Sequence, residues 1–510
     1  MLKNLIIFFC LLIILSLIYL PVLLGHYIYH DDLALLENTG FFVYIYSNNV
    51  IAMGRPLAAA LATIFDWMVN SIKDLHVVRF LTIVELSICG LIVFRCLRRY
   101  ILSEFTALLA TIIILTLPSF EVLVANTTPI CLTALLLSLF GAIFVDKIPE
   151  QKFTGKRLMS RNAFFSTMFL LIALLTYPPT AMFYWVMAGI VLFAYLDNPS
   201  DALKQKLINL FCIGFAALFF YATILKIIQP MVLDTVGGYN PYFITNEYSR
   251  KIKWFIEIPL VSSLNLWNIS PKDQPALMAA IFFFSAWLLH LRHVIKNQAN
   301  IHREIPRQFT IFLIFLSLMI LCFLPNLLAF SDASFYRCTT ALTSLLAVAL
   351  IWAAKKWIMV LFKVKDQFVM TFLVSFICIY GAQQAFRNVL LFRVIPSGLE
   401  VNYLKQLLDV NINQYQRIHL IRQQQAIAWW YDEFGTLSTN YMQNVEPMVR
   451  CALKELRGGD IRHYGIIITS SLSQQKISFK EKTLLIDMAR LNDTLTYLQY
   501  SNPNETRKPK

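Results

Sequence analysis

Charge is scarce in this 510-residue sequence: Asp, Glu, Lys and Arg make up 15% of it, against 58% hydrophobic residues. A water-soluble domain carries about 25% charge, so the deficit excludes a soluble globular protein and calls for a solvent other than water. Cysteine is also uninformative. The nine cysteines form no CxxC pair and no metal-type Cys/His spacing. Most of them (Cys10, Cys89, Cys96, Cys131, Cys212, Cys322, Cys378) sit in or beside apolar blocks, which speaks against a disulfide framework and a zinc site. The first apolar block, after Lys3, lacks the small-x-small pattern of a cleaved leader and is read as a retained helix. Ionisable residues are nearly missing inside the apolar blocks, against the needs of a proton-coupled transporter. No internal repeat is found.

What the sequence does have is aromatic side chains and long apolar runs. Forty Phe and 22 Tyr suit lipid-facing surfaces and interfacial belts. A spanning helix needs roughly 17–25 mainly apolar residues. Blocks near that length lie at 5–24, 77–94, 105–117, 128–145, 164–176, 181–195 and 210–228, then at 276–291, 309–330, 339–354 and 367–385. They predict about eleven spans. Beyond residue 386 polar residues take over, dividing the chain into a membrane part, 1–386, and a C-terminal part, 387–510. The segments Tyr403–Gln424 and Val445–Leu456 have helical periodicity, and Tyr464–Ser470 reads as a strand. The fold class expected is therefore an all-α polytopic membrane protein with a small C-terminal α/β domain, ending in a disordered tail over 501–510.

The net charge of +14 is not a nucleic-acid footprint, because many basic residues fall in short clusters between apolar blocks. With a cytoplasmic N-terminus, the even-numbered blocks end inside. Those ends carry Arg95/Arg98/Arg99, then Lys147/Lys152/Lys156/Arg157/Arg161, Lys204/Lys206, Arg292/Lys296/Arg303/Arg307 and Lys355/Lys356/Lys363/Lys365. The junctions around His26–Asp32, Ser119–Asn126 and Ser331–Arg337 are nearly free of Lys and Arg, as positive-inside orientation requires. An odd number of spans then puts the C-terminal part outside, together with the loop 229–274. Within that loop, Lys251–Leu266 suits a helix lying in the interface.

Chemistry concentrates at the outer junctions. The segment His26-Tyr27-Ile28-Tyr29-His30-Asp31-Asp32 puts two carboxylates just past the first helix. By composition alone they serve as well as a loop marker and N-cap, and the His26/His30 spacing fits a satisfied histidine pair better than a metal site. Gly54-Arg55-Pro56-Leu57-Ala58 opens an amphipathic helix running to Met68, with Arg55 at its N-terminus able either to hold a phosphate or to snorkel to headgroups. Glu85, mid-helix, reads as a carboxyl paired with a neighbouring helix, and Arg79 and Lys226 as snorkelling residues near block ends.

An acidic pair directly after the first helix, followed by a Gly-Arg-Pro-Leu element, resembles the serotype-converting O-antigen glucosyltransferases, polytopic bacterial inner-membrane enzymes of the GT-C class. Leu117-Pro118-Ser119-Phe120-Glu121 resembles the family's Pro-Phe element, and Thr176-Tyr177-Pro178 its Tyr-containing turn. The resemblance covers the first two-thirds of the chain. One departure is that Asp31-Asp32 is followed by Leu33-Ala34-Leu35 rather than by a nearby basic residue, which turns attention to Arg55 and Arg337 as the phosphate-binding cations. The resemblance implies transfer of glucose from undecaprenyl-phosphate-glucose to an O-antigen hydroxyl on the periplasmic side, without metal or other cofactor. Asp31 would be the base and Asp32 an orienting partner, with Glu121 and Tyr177 lining the cavity. It also implies, as partners, the lipid-linked donor, the O-antigen acceptor and membrane lipids, with a donor-making glycosyltransferase and a flippase upstream. A flippase or other carrier of lipid-linked glycans, and an O-antigen polymerase, are the alternative readings.

Overall fold

A computed structural model describes residues 2–28, 50–69, 71–125, 129–148, 160–233, 247–269, 273–297, 301–329, 332, 335–361, 367–409, 417–421, 449, 465–469 and 483–487. The described chain is a helical bundle. The helices are α1 (Leu2–Ile18), α2 (Leu20–Leu24), α3 (Pro56–Met68), α4 (Asp74–Tyr100), α5 (Glu104–Leu115), α6 (Pro118–Ala125), α7 (Ile130–Asp146), α8 (Arg161–Thr176), α9 (Pro178–Ala181) and α10 (Tyr184–Asp197). Then come α11 (Asp201–Leu233), α12 (Tyr248–Phe255), α13 (Val261–Leu264), α14 (Asp273–Asn297), α15 (Ile301–Cys322), α16 (Leu324–Leu328), α17 (Thr340–Leu361), α18 (Gln367–Val389) and α19 (Ile395–Asp409).

Among the described residues, seven helical stretches are long and apolar enough to cross a bilayer, or eight if the bent pair α5–α6 is one span. The expected count of eleven is not supported by them, and proline explains much of the difference. The first apolar block breaks at Tyr19, ahead of Pro21, leaving α1 only 17 residues long. The third bends by 65° between α5 and Pro118 at the start of α6. The fifth stops at Thr176, before Pro178 and Pro179. Proline lacks the N–H and clashes with the preceding turn. A 17-residue helix rises only about 25 Å, at the lower limit for the roughly 30 Å hydrocarbon core.

At the centre lies α10, whose side chains are nearly all buried. Gly189 lets Leu345 of α17 approach, Phe193 stacks on Trp352 with ring centroids 5.3 Å apart, and Gly214 of α11 accepts the Trp185 ring. Between helices in lipid the hydrophobic drive is weak, so close packing of this kind carries association. The outer faces of α11, α14 and α18 expose Phe215, Phe219, Leu277, Met278, Phe368, Phe372 and Phe376. In water that would be a large aggregation surface.

The basic junctions meet at one end of the bundle. Arg99 and Lys206 both pair with Asp146, Lys355 and Lys356 with Asp197, and the His290 ring packs against Trp352. Glu104 joins Lys3 and Arg98 there. At the opposite end the first-helix exit is tied to α6 by Tyr27, whose hydroxyl donates to the Ala125 carbonyl (3.0 Å). Segments far apart in sequence thus share ion pairs at one end, while Arg79, Lys405 and Arg55 stand at the other.

The composition boundary at residue 386 does not coincide with a break in structure. α18 continues through a π-helical turn, Leu390–Val394, into α19 and ends at Asp409. Beyond it the described residues hold three five-residue strands, β1 (Arg417–Ile421), β2 (Gly465–Thr469) and β3 (Thr483–Asp487), paired in parallel in the order β2-β1-β3. The helix expected over Tyr403–Gln424 stops at Asp409, and the one over Val445–Leu456 falls almost wholly outside the described residues. A complete C-terminal α/β domain is therefore not supported by the described residues.

Candidate functional site

The site is built on short breaks between helices at the end opposite the basic junctions. After α2 the chain turns through Gly25 into an extended stretch, 25–28, held by a guanidinium from α4. Arg79 donates through Nη1 to the Gly25 carbonyl (3.1 Å) and through Nη2 to the Tyr27 carbonyl (2.8 Å), and lies 3.7 Å from the centroid of the Tyr27 ring. Its side chain is fully buried. The planar fork of arginine suits two carbonyls at fixed spacing in a way that a lysine does not. On the other side His26 Nε2 faces Lys405 Nζ of α19 at 3.2 Å. Burial first, then the cations Lys405, Arg79 and Lys73, hold the His26 imidazole below its ordinary pKa. The neutral ring accepts from the lysine.

Arg55 stands at the N-terminus of α3. Gly54 before it has a φ of +78°, the left-handed region that glycine enters without strain. A Cβ on Gly54 would lie 2.8 Å from the Tyr221 hydroxyl, which itself donates to the Gly54 carbonyl (3.2 Å). Pro56 supplies the preset φ of a first helical turn. α3 then packs on α7 through Ala58, Ala59 and Ala62 against Ile130. The small residues form the buried stripe, whereas Ile64 of the bulkier face is exposed.

From this position the Arg55 guanidinium lies over the ring of Tyr177, 4.4 Å from its centroid. Tyr177 is the extended residue between α8 and α9 (φ −154°, ψ 94°), the conformation that Pro178 imposes on its predecessor. Its hydroxyl meets Cys338 Sγ at 3.9 Å. Cys338 closes the single 3₁₀ turn Tyr336–Cys338, which carries Arg337. The Arg337 guanidinium itself lies over the Phe335 ring, 5.3 Å from its centroid, one residue from the Cys338 that meets Tyr177. Arg55, Tyr177 and the turn that carries Arg337, each more than 120 positions from the next in sequence, are thus brought together.

Glu121 goes elsewhere. It is fully buried on α6, its Oε1 accepting from Asn388 Nδ2 of α18 (3.3 Å), and Asn388 also donates to the Trp267 carbonyl (3.2 Å). Oε2 has no partner among the described residues. α6 does border the Arg337 turn, with Val122 and Tyr336 in one apolar cluster, but the carboxyl faces α18 instead of Tyr177. Asp31 and Asp32 lie outside the described residues. The chain leading to them, ending at Ile28, lies at the same end of the bundle as Ala125 and α6.

Glu85 meets Thr133 of α7, a helix-to-helix contact of the kind its position suggests. Arg79 departs from the snorkelling expected of it. Six residues into its helix, it turns inward to carbonyls more than 50 positions away, a pairing with no sequence signature. Tyr221 and Lys405 are further contributors that no motif marks.

The long apolar helices and their exposed apolar faces define an α-helical polytopic membrane protein, with an arginine-tyrosine cluster set among helix breaks at one end. No family model matches the chain, and no curated protein matches it.

Proposed function

We propose that this protein is a glucosyltransferase that moves glucose from undecaprenyl-phosphate-glucose to a hydroxyl of lipopolysaccharide O-antigen on the periplasmic side of the bacterial inner membrane. The observation that supports the reading is that Arg55 lies over Tyr177, whose hydroxyl meets Cys338 in the turn that carries Arg337, at the end of the bundle where the first helix leaves it. On this reading the N-terminus is cytoplasmic, and the arginine cluster and the residues from 387 onward are periplasmic.

The chemistry follows from the two substrates. An acceptor hydroxyl is a poor nucleophile at neutral pH, and Asp31 takes its proton as the oxygen attacks the anomeric carbon. Asp32 orients the acceptor. The bond from that carbon to the phosphate oxygen breaks, and the electron pair leaves with polyprenyl phosphate. Arg55 and Arg337 meet the growing negative charge through charge-assisted hydrogen bonds, with Tyr177 holding Arg55 at the required place. Glu121, facing Asn388, supports α6 beside the acceptor path. A polyprenyl tail explains why such a reaction is run by a membrane-embedded chain.

Asp31→Asn and Asp32→Asn, scored for O-antigen glucosylation at matched protein level, test the reading. At least one is expected to lose transfer by about 10²-fold or more. Full activity in both overturns the assignment. Purified protein given polyprenyl-phosphate-glucose and acceptor is expected to release polyprenyl phosphate, whereas a flippase leaves the donor intact.

A further inference from the structure

The end of the bundle that gathers the basic junctions, away from Arg55 and Tyr177, holds a cavity of about 510 Å³ lined by α5, α10, α17 and α18. Lys355 and Lys356 form its charged side. They are partly buried, with side-chain exposures of 29% and 12%, and are not waving surface lysines. Both hold Asp197, whose Oδ2 accepts from Lys355 (2.8 Å) and whose Oδ1 lies 2.6 Å from Lys356. Trp352 Nε1 also donates to that Oδ1 (2.9 Å). Asp197 thus takes three donors, and two cations against one anion leave the cavity with a net positive charge. Lys355 spends one further hydrogen on the Ile101 carbonyl (3.1 Å). Each ammonium has three donors, so the pair retains donors for another acceptor.

The remaining walls mix polar Ser103, Thr106, Asn198 and Gln367 with apolar side chains. Met359 and Met370 line the cavity, and close to them Leu361, Phe368 and Phe372 are exposed on the lipid-facing sides of α17 and α18. A charged recess continuous with an apolar outer face fits an amphiphile, with its head on the lysines and its chains along α17 and α18. We infer that this cavity binds the headgroup phosphate of an anionic phospholipid. The inference stands apart from the transferase reading, because it uses no residue of the Arg55–Tyr177–Arg337 cluster.

The full-length protein, purified and delipidated in detergent, is titrated with phosphatidylglycerol, phosphatidylcholine or glycerol 3-phosphate, and retained adducts are counted by native mass spectrometry. One phosphatidylglycerol is expected to be held selectively, with glycerol 3-phosphate failing to displace it. Retention should fall roughly fivefold for each of Lys355→Gln and Lys356→Gln. Because those changes also strip Asp197 of a partner, Met359→Trp serves as a second variant that fills the cavity and leaves the ion pairs in place. It is expected to abolish the selective adduct with the fold intact. Equal retention of phosphatidylcholine, or undiminished retention in Met359→Trp, overturns the site. Displacement by glycerol 3-phosphate at matched concentration overturns the lipid as its occupant.

Discussion

Replacing Arg79 by Met tests the element on which the geometry of the first-helix exit depends. The substitution keeps much of the side-chain volume and removes two hydrogen bonds from a charged donor, to Gly25 and Tyr27. Such bonds contribute about 1.5–3 kcal/mol each, and the guanidinium over the Tyr27 ring adds about 2 kcal/mol in a desolvated setting. The carbonyls left behind are buried, but the extended stretch 25–28 relaxes, so the sum is an upper bound and about 3–5 kcal/mol is the working figure. Hydrogen exchange read on a peptide covering 20–28 reports that loss directly, since local opening sets the rate. At 1.4 kcal/mol per decade, exchange there should quicken by about 10² to 4 × 10³-fold, with the α10 core unchanged. Arg79→Lys, which keeps the charge and loses the fork, should fall between. An exchange rate in Arg79→Met equal to the parent's would refute the clamp. It would also remove the argument that α4 sets the path toward Asp31.

Gly54→Ala forces a side chain into a +78° φ with a Cβ 2.8 Å from the Tyr221 hydroxyl; it should cost at least about 1 kcal/mol and lower transfer at matched protein level, whereas Tyr221→Phe should cost less in the same assay. Asp197→Ala leaves Lys355 and Lys356 without their shared anion and Trp352 without its acceptor. A loss of about 3–5 kcal/mol is expected, visible as a lower melting midpoint in detergent, while Asp197→Glu should recover part of it. For His26 the folded pKa lies below the unfolded one, so the unfolded chain binds more protons as pH falls. Stability contributed by the neutral ring is present above about pH 6.5 and is lost as pH drops through the lowered folded value. Melting midpoints from pH 8 to 5 should fall more steeply in the parent than in His26→Gln; parallel curves would show that the His26–Lys405 contact does not titrate with folding.

The apolar runs were enough to locate the helices, because a backbone in lipid must satisfy its hydrogen bonds within each segment. Which runs cross was less legible. Pro21, Pro118 and Pro178 are visible in the sequence, but the 65° bend between α5 and α6 follows from packing against neighbours that no local pattern names. The polar stretch after 386 suggested a boundary, whereas α18 continues through a π-helical turn into α19, which ends at Asp409, since helical hydrogen bonding continues wherever side-chain packing permits, whatever the hydropathy.

Local chemistry in the sequence determined the break at Gly54-Arg55-Pro56, the extended Tyr177 before Pro178, and the basic junctions that gather at one end, since each rests on backbone sterics or on charge avoiding lipid. Only the tertiary structure decided that Arg55 lies over Tyr177 beside the turn that carries Arg337, that Arg79 turns inward to two carbonyls, and that Glu121 faces Asn388. Those pairings join residues far apart in sequence, up to 267 positions for Glu121 and Asn388, and their direction is fixed by which helix faces pack, a property of the whole bundle.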